Sequence, residues 1–133
     1  MITLPPLPPL MTNDNIVSVI TQIESGGDVS AIGDNGKAFG LLQIQQPCLD
    51  DFNKWNGTKY VLDDLLGEAG AELSKRVFWD YMAHYATPRR LGRPVTPVDM
   101  AGIWNGGPNG WRWTATQRYR NAFSMIATKR QYV

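Results

Sequence analysis

The chain contains very little cysteine and histidine. Among its 133 residues there is one cysteine, Cys48, and one histidine, His84. A single cysteine cannot form an internal disulfide, and no group of Cys and His residues has the spacing of metal ligands. The sequence therefore predicts no disulfide framework, no metal site and no cofactor. For the isolated His84 a structural or surface role is the ordinary expectation.

The chain is also nearly neutral and has no long hydrophobic run. The formal net charge of +1 gives no argument for nucleic acid as a partner. No run approaches the roughly 18 apolar residues of a membrane helix, so membrane insertion is not expected. Residues 1–12, MITLPPLPPLMT, have no basic leader and too many prolines for the apolar helix of a signal peptide. We expect them to form an extended, proline-rich arm.

Apolar residues are abundant enough for a folded domain. The hydrophobic fraction of 43% and the aromatic fraction of 11% are typical of a globule with a real core. A chain of this length can bury such a core without disulfides. With no internal repeat and no long linker, residues 13–133 are predicted to form one domain behind the arm.

Helical periodicity and turn signals give the expected elements. The first helix should begin with Asn13 or Asp14 as its cap and end near Ser25, before Gly26-Gly27. An Asn-Gly turn within residues 29–44 predicts a small hairpin. Residues 87–97 are expected to form a connection. Further helices are predicted over residues 47–55, 63–86, 97–105 (capped by Thr96, with Asp99 reaching back) and 114–130. The predicted fold class is α+β, mainly α.

Glu24 ends the first predicted helix in an unusual place for an acid. It lies four residues after Ile20, so it shares a helix face with an apolar side chain. It also occupies the last helical turn, where the negative end of the helix dipole disfavours a carboxylate. Both effects should raise the pKa of Glu24, as a general acid near neutral pH requires. A solvated glutamate paired with a lysine is the simpler interpretation.

A second acid, Asp34, follows in the turn of the predicted hairpin. A hairpin directly after a helix end can fold the two carboxyl groups across one groove. The polar turn would leave Asp34 ionised while Glu24 keeps its proton, and such a pair performs glycoside hydrolysis. Asp34 is also an ordinary turn former, and the nearby Asp28 competes for the same role.

Four ordered segments of the chain resemble blocks of the lysozyme superfamily, closest to the invertebrate-type lysozymes. They are ESGGDVSAIGDNGKAFGLLQI at 24–44, WDYMAHYA at 79–86, MAGIWNGGPNGW at 100–111 and YRNAF at 119–123. The likeness extends over roughly residues 16–126. The same blocks resemble the soluble lytic transglycosylase domain, although Trp104 replaces the tyrosine of its Tyr-Asn-x-Gly pattern. Animal invertebrate-type lysozymes are rich in disulfides, so the single cysteine favours a bacterial or phage setting.

The resemblance implies a lysozyme-like fold with a small hairpin beside a cleft, and peptidoglycan glycan strands as the partner. The leading expectation is hydrolysis of the β-1,4 bond between N-acetylmuramic acid and N-acetylglucosamine. Glu24 would be the general acid, and Asp34 would stabilise or attack the oxocarbenium-like centre. The protein would act at the bacterial cell wall, in the periplasm, outside the cell or within a phage virion.

Six further residues are implied to bind substrate. Ser25 and Gln43 would position the sugar or a water, and Gly40 would let backbone approach it. Trp104 would stack on a sugar face and Asn105 would bind an N-acetyl group. Tyr119 corresponds to a late tyrosine of the family. Capping, a hairpin kink, a helix stop and core packing are the plainer explanations for these residues.

Two other functions are compatible with the same residues. A lytic transglycosylase would act through Glu24 alone and form 1,6-anhydro products. A non-catalytic wall-binding or virion structural domain would keep the fold without the activity. Within the enzyme class, chitin is a lesser option as substrate.

Overall fold

The structure is a computed structural model that describes residue 3 and residues 10–132. Within this part of the chain there are six α-helices and one two-stranded antiparallel hairpin, so the predicted α+β, mainly α class is confirmed. Most of the predicted proline-rich arm lies outside the described residues. The helices are α1 (Asn13–Glu24), α2 (Gln46–Asn56), α3 (Gly67–Tyr85), α4 (Pro88–Leu91), α5 (Pro97–Gly106) and α6 (Gln117–Lys129), and the strands are β1 (Ile32–Gly33) and β2 (Ala38–Phe39).

Helix α1 begins at Asn13, one residue before the earliest start that a cap at Asn13 would allow. The N-cap is Thr12, whose hydroxyl accepts a hydrogen bond from the Asn15 N–H at 3.1 Å. The prediction of Asn13 or Asp14 as the cap is wrong because the Thr12 side chain already satisfies a free N–H of the first turn. The inward face of α1 is buried through Ile16, Val17, Val19 and Ile20. The helix then ends at Glu24, which fixes that carboxyl group at the helix terminus.

The hairpin confirms the prediction for residues 29–44. Ile32 pairs with Phe39 and Gly33 with Ala38. The connecting turn has Asp34 and Asn35 at positive φ values of 50° and 56°, a conformation that Asp and Asn tolerate better than most residues.

Two predicted segments are divided differently in the structure. The helix expected over residues 63–86 is interrupted, because Leu66 is extended and separates a 3₁₀ helix, Leu62–Leu65, from α3. A side chain at Gly70 would collide with the Leu65 carbonyl group, so Gly70 permits this close packing. The last predicted helix begins as a 3₁₀ turn, Thr114–Thr116, before α6.

The expected connection over residues 87–97 contains α4. Thr87 caps this short helix by accepting from the Arg90 N–H at 3.2 Å, and Gly92 ends it with φ of 75°. The predicted cap of α5 is confirmed, because Thr96 accepts from the Asp99 N–H and the Asp99 carboxylate accepts from the Thr96 N–H. Arg93 holds the same carboxylate with two hydrogen bonds of 2.7 Å, so the loop before α5 is fixed.

One hydrophobic core joins α1, α2, α3, α5 and α6 to the segment after the hairpin. Its largest fully buried side chains include Phe52, Phe78, Phe123, Ile20, Leu42 and Ile103. Helix α6 packs against both α1 and α5, and this packing places Tyr119, in the first turn of α6, beside the C-terminal end of α1. None of the described helices has the length and apolar character that a bilayer span needs.

Candidate active site

A cavity of about 360 Å³ lies at the C-terminal end of α1. Its volume falls in the range of about 300–1,000 Å³ that is typical of ligand sites. The wall combines acids, amides, a thiol and aromatic rings from α1, the segment after the hairpin, and helices α2, α3 and α5. The lining residues are Glu24, Gln43, Ile44, Gln45, Pro47, Cys48, Asp51, Tyr81, Trp104 and Asn105.

Glu24 has a strongly perturbed carboxyl group in this cavity. Burial raises its pKa from 4.5 to about 7, and a hydrogen bond from Tyr119 acts in the opposite direction. The upward direction agrees with the sequence prediction, and burial is the main cause. Near neutral pH a large share of the molecules therefore holds a proton on Glu24, as general acid catalysis requires.

Tyr119 holds the Glu24 carboxyl group from a distant helix. Its hydroxyl donates to Glu24 Oε2 at 3.0 Å, across 95 residues of sequence. Burial raises the pKa of Tyr119, and the neighbouring Glu24 charge raises it further, so the phenol keeps its proton and stays a donor. The resemblance implied a substrate contact for Tyr119; in this structure its hydroxyl contacts the Glu24 carboxyl group, so it can position that group.

Ser25 is engaged by the fold. Its hydroxyl donates to the Leu41 carbonyl at 2.7 Å and accepts from the Gly27 N–H at 3.2 Å. These bonds tie the end of α1 to the segment after the hairpin. The hydroxyl proton is used in this tie, so the geometry favours local capping over the substrate contact that the sequence implied.

Gln43 and Gly40 belong to the same tight segment. The Gln43 amide donates to the carbonyls of Ala31 and Gly40 at 3.1 and 3.0 Å, and Gln43 lines the cavity. Gly40 is buried with φ of 82°, and any side chain there would collide with the Leu65 carbonyl oxygen. Gly40 is not among the residues that line the cavity, and its lack of a side chain permits close packing of the hairpin on the 3₁₀ helix.

Trp104 and Asn105 stand together at the end of α5 and both line the cavity. The Trp104 indole N–H donates to the Leu42 carbonyl at 3.2 Å, which fixes the ring. The ring also meets Tyr81 edge to face, with centroids 5.7 Å apart. Asn105 is exposed. A fixed indole beside an accessible amide can offer a stacking surface and hydrogen bonds to a ligand.

The two acids of the hairpin region lie outside the cavity lining. Asp34 is exposed, and its carboxylate accepts from the side-chain amide of Gln45 at 2.9 Å. Gln45 does line the cavity, so Asp34 is linked to it through one side chain. Asp28 is also exposed and caps a local turn by accepting from the Ser30 N–H at 2.9 Å.

Asp51 is the acid that sequence reasoning missed. It lies on α2, is partly buried and lines the cavity with Glu24. Asp51 lies four residues after Pro47 in the predicted helix over residues 47–55, so the two residues share a helix face. This spacing was the signal in the sequence that could have indicated Asp51. Burial, with the nearby Asp51 charge, raises the pKa of the Cys48 thiol to about 12. Cys48 therefore stays protonated and is a poor nucleophile.

The residues brought together are thus one protonatable acid, a second carboxylate, amides and aromatic rings. No group of three or more His, Cys, Asp or Glu side chains in residue 3 and residues 10–132 is arranged to hold a metal ion. This site can donate a proton to a bound ligand and take it back. No protein-family model matches the chain, and no curated protein matches it either.

Proposed function

We propose that the protein is a peptidoglycan-degrading glycosidase that cleaves the β-1,4 bond between N-acetylmuramic acid and N-acetylglucosamine. The observation that carries the proposal is the Glu24 carboxyl group, whose pKa is about 7 in the cavity wall. The ordered segments that resemble the lysozyme superfamily supply the substrate class. In this proposal the fold is lysozyme-like and the cavity corresponds to the cleft beside the hairpin.

Glu24 performs the first step by protonating the glycosidic oxygen as the bond breaks. Tyr119 donates to Oε2, so Oε1 is the oxygen that carries the proton toward the substrate. When the proton leaves, the Tyr119 hydrogen bond is already in place for the new carboxylate. The same carboxylate can then accept a proton from the attacking group.

Trp104 and Asn105 give the cavity its preference for an N-acetylated sugar. An indole ring offers an apolar surface to one face of the sugar, while an exposed amide can both donate to and accept from an acetamido group. Both residues line the same cavity as Glu24, so recognition and proton transfer occur in one cavity.

Hydrolysis needs water at the anomeric carbon and benefits from a second carboxylate there. Asp34 is the candidate from the sequence, and it reaches the cavity only through Gln45. Asp51 is the candidate from the geometry, since it lines the cavity itself. Either carboxylate would stabilise positive charge while Glu24 activates the water.

A lytic transglycosylase is the second candidate. There the C6 hydroxyl of the muramic acid residue attacks its own anomeric carbon, and the product carries a 1,6-anhydro end. Glu24 takes the hydroxyl proton, so no second carboxylate is needed. The position of Asp34 outside the cavity lining favours this alternative.

Mass spectrometry of digested peptidoglycan tests the proposal. Products with added water support hydrolysis, and 1,6-anhydro products support the transglycosylase. Wall binding without any cleavage would indicate a non-catalytic domain, and release of sugars from chitooligosaccharides alone would redirect the substrate to chitin. Glu24→Gln should abolish product formation, whereas Glu68→Gln, at an exposed glutamate of α3, is the matched control.

A further inference from the structure

A continuous run of aromatic rings leaves the cavity along α2 and α3. Ring centroids are 5.7 Å apart between Trp104 and Tyr81, 4.8 Å between Tyr81 and Tyr85, and 5.8 Å between Tyr85 and Trp55. His84 then stacks on Trp55 at 3.6 Å with an angle of 7° between the planes. We refer to Trp104, Tyr81, Tyr85, Trp55 and His84 as the aromatic ladder.

Helical spacing makes the aromatic ladder an extension of the cavity wall. Tyr81 and Tyr85 occupy successive turns of one face of α3. On α2 the face that lines the cavity at Pro47 and Asp51 continues four residues later to Trp55. Two rungs, Trp104 and Tyr81, are part of the cavity, so the aromatic ladder begins inside it.

The outer rungs are exposed in part, and polar groups lie beside them. Trp55 and Tyr85 are partly buried, and His84 is exposed. Next to them, Asn56 donates to the Asp80 carboxylate at 2.7 Å, and His84 contacts the Asp80 carbonyl at 2.8 Å. Apolar rings bordered by carboxylate, amide and imidazole groups match the two sides of a sugar unit, its apolar face and its hydroxyls.

We infer that the aromatic ladder is a track for the glycan strand that holds sugar units beyond those in the cavity. The inference rests on the proposed function, because the occupant is the same strand that Glu24 cleaves. Continuity selects this occupant: a strand that leaves the cavity past Tyr81 meets Tyr85 and then Trp55. A second copy of the chain and a purely structural stack are the rivals.

The test uses Glu24→Gln protein, which binds strands without cleaving them. Peptide-free peptidoglycan glycans of graded length are titrated by calorimetry against this protein and against the same protein carrying Trp55→Ala. Loss of one indole face should weaken long strands by about 5- to 30-fold and leave the shortest fragments that fill the cavity unchanged. Trp55→Phe should recover most of the affinity, and Lys54→Ala, on the same helix, should change nothing.

Folding is checked by thermal unfolding of each variant. If Trp55→Ala unfolds, His84→Ala at the exposed end of the aromatic ladder replaces it, with a smaller loss confined to long strands. Equal weakening at every length, no weakening at any length, or a change of oligomeric state in sedimentation would each overturn the track. In those cases the proposed function would still stand, as long as the parent Glu24→Gln protein binds glycans. Failure of the parent Glu24→Gln protein to bind glycans of any length would overturn both.

Discussion

Replacing Glu24 by Gln should make the folded protein more stable at neutral and alkaline pH. The pKa of Glu24 is about 7 in the folded protein, against 4.5 for an unperturbed glutamate. The folded state therefore binds the proton more tightly than the unfolded state, and stability falls as pH rises from about 4.5 to about 7. This difference in pKa corresponds to about 3 kcal/mol of unfolding free energy at 1.36 kcal/mol for each pKa unit.

Glutamine avoids this cost because it never ionises, and its amide oxygen can still accept from Tyr119. The free-energy difference between the variant and the parent should be small at pH 4 and should reach about 3 kcal/mol by pH 8. In a domain of this size the gain corresponds to a Tm increase on the order of 10 °C.

Urea unfolding of both proteins from pH 4 to pH 8 measures this difference directly, because the other titrating groups cancel in the subtraction. Glu68→Gln serves as the control, since the side chain it replaces is exposed on α3. A difference that stays constant across this pH range would refute the raised pKa. The assignment of Glu24 as a general acid would then fail as well.

Three further outcomes follow from the same geometry. Tyr119→Phe removes the hydrogen bond that lowers the pKa of Glu24, so the alkaline limb of the pH–rate profile should move to higher pH. An unchanged limb, or one at lower pH, would contradict the role of Tyr119 in holding the Glu24 carboxyl group. Asp51→Asn should lower the initial rate of cleavage of soluble peptidoglycan by about 100-fold, and Asp34→Asn should lower it by less than tenfold. The reverse order would identify Asp34, the acid predicted from the sequence, as the second carboxylate. Gly40→Ala should lower the free energy of unfolding, measured with urea, by about 2 kcal/mol or more, because the new methyl group would collide with backbone at a residue with positive φ. Gly36→Ala, in the open turn, is the control that has a positive φ without the collision.

The local features of this fold were accessible from sequence because short-range chemistry determines them. The Thr96–Asp99 cap, the Gly26-Gly27 pair after α1 and the Asn-Gly hairpin each depend on residues within a few positions of one another. The interruption before α3 was missed because the backbone at Leu66 is set by close packing of the 3₁₀ helix on Gly70. Helix propensity, which depends on neighbouring residues in the sequence, does not predict this packing contact.

By itself the sequence determined the predominantly helical class, the hairpin and the position of an acid at the end of α1. The tertiary structure decided the chemistry around that acid. Tyr119 reaches Glu24 from 95 residues away, Asp51 enters the cavity from α2, and Asp34 remains outside the lining. Burial is what raises the pKa of Glu24, and it is produced by segments that are distant along the chain and meet only when the core packs.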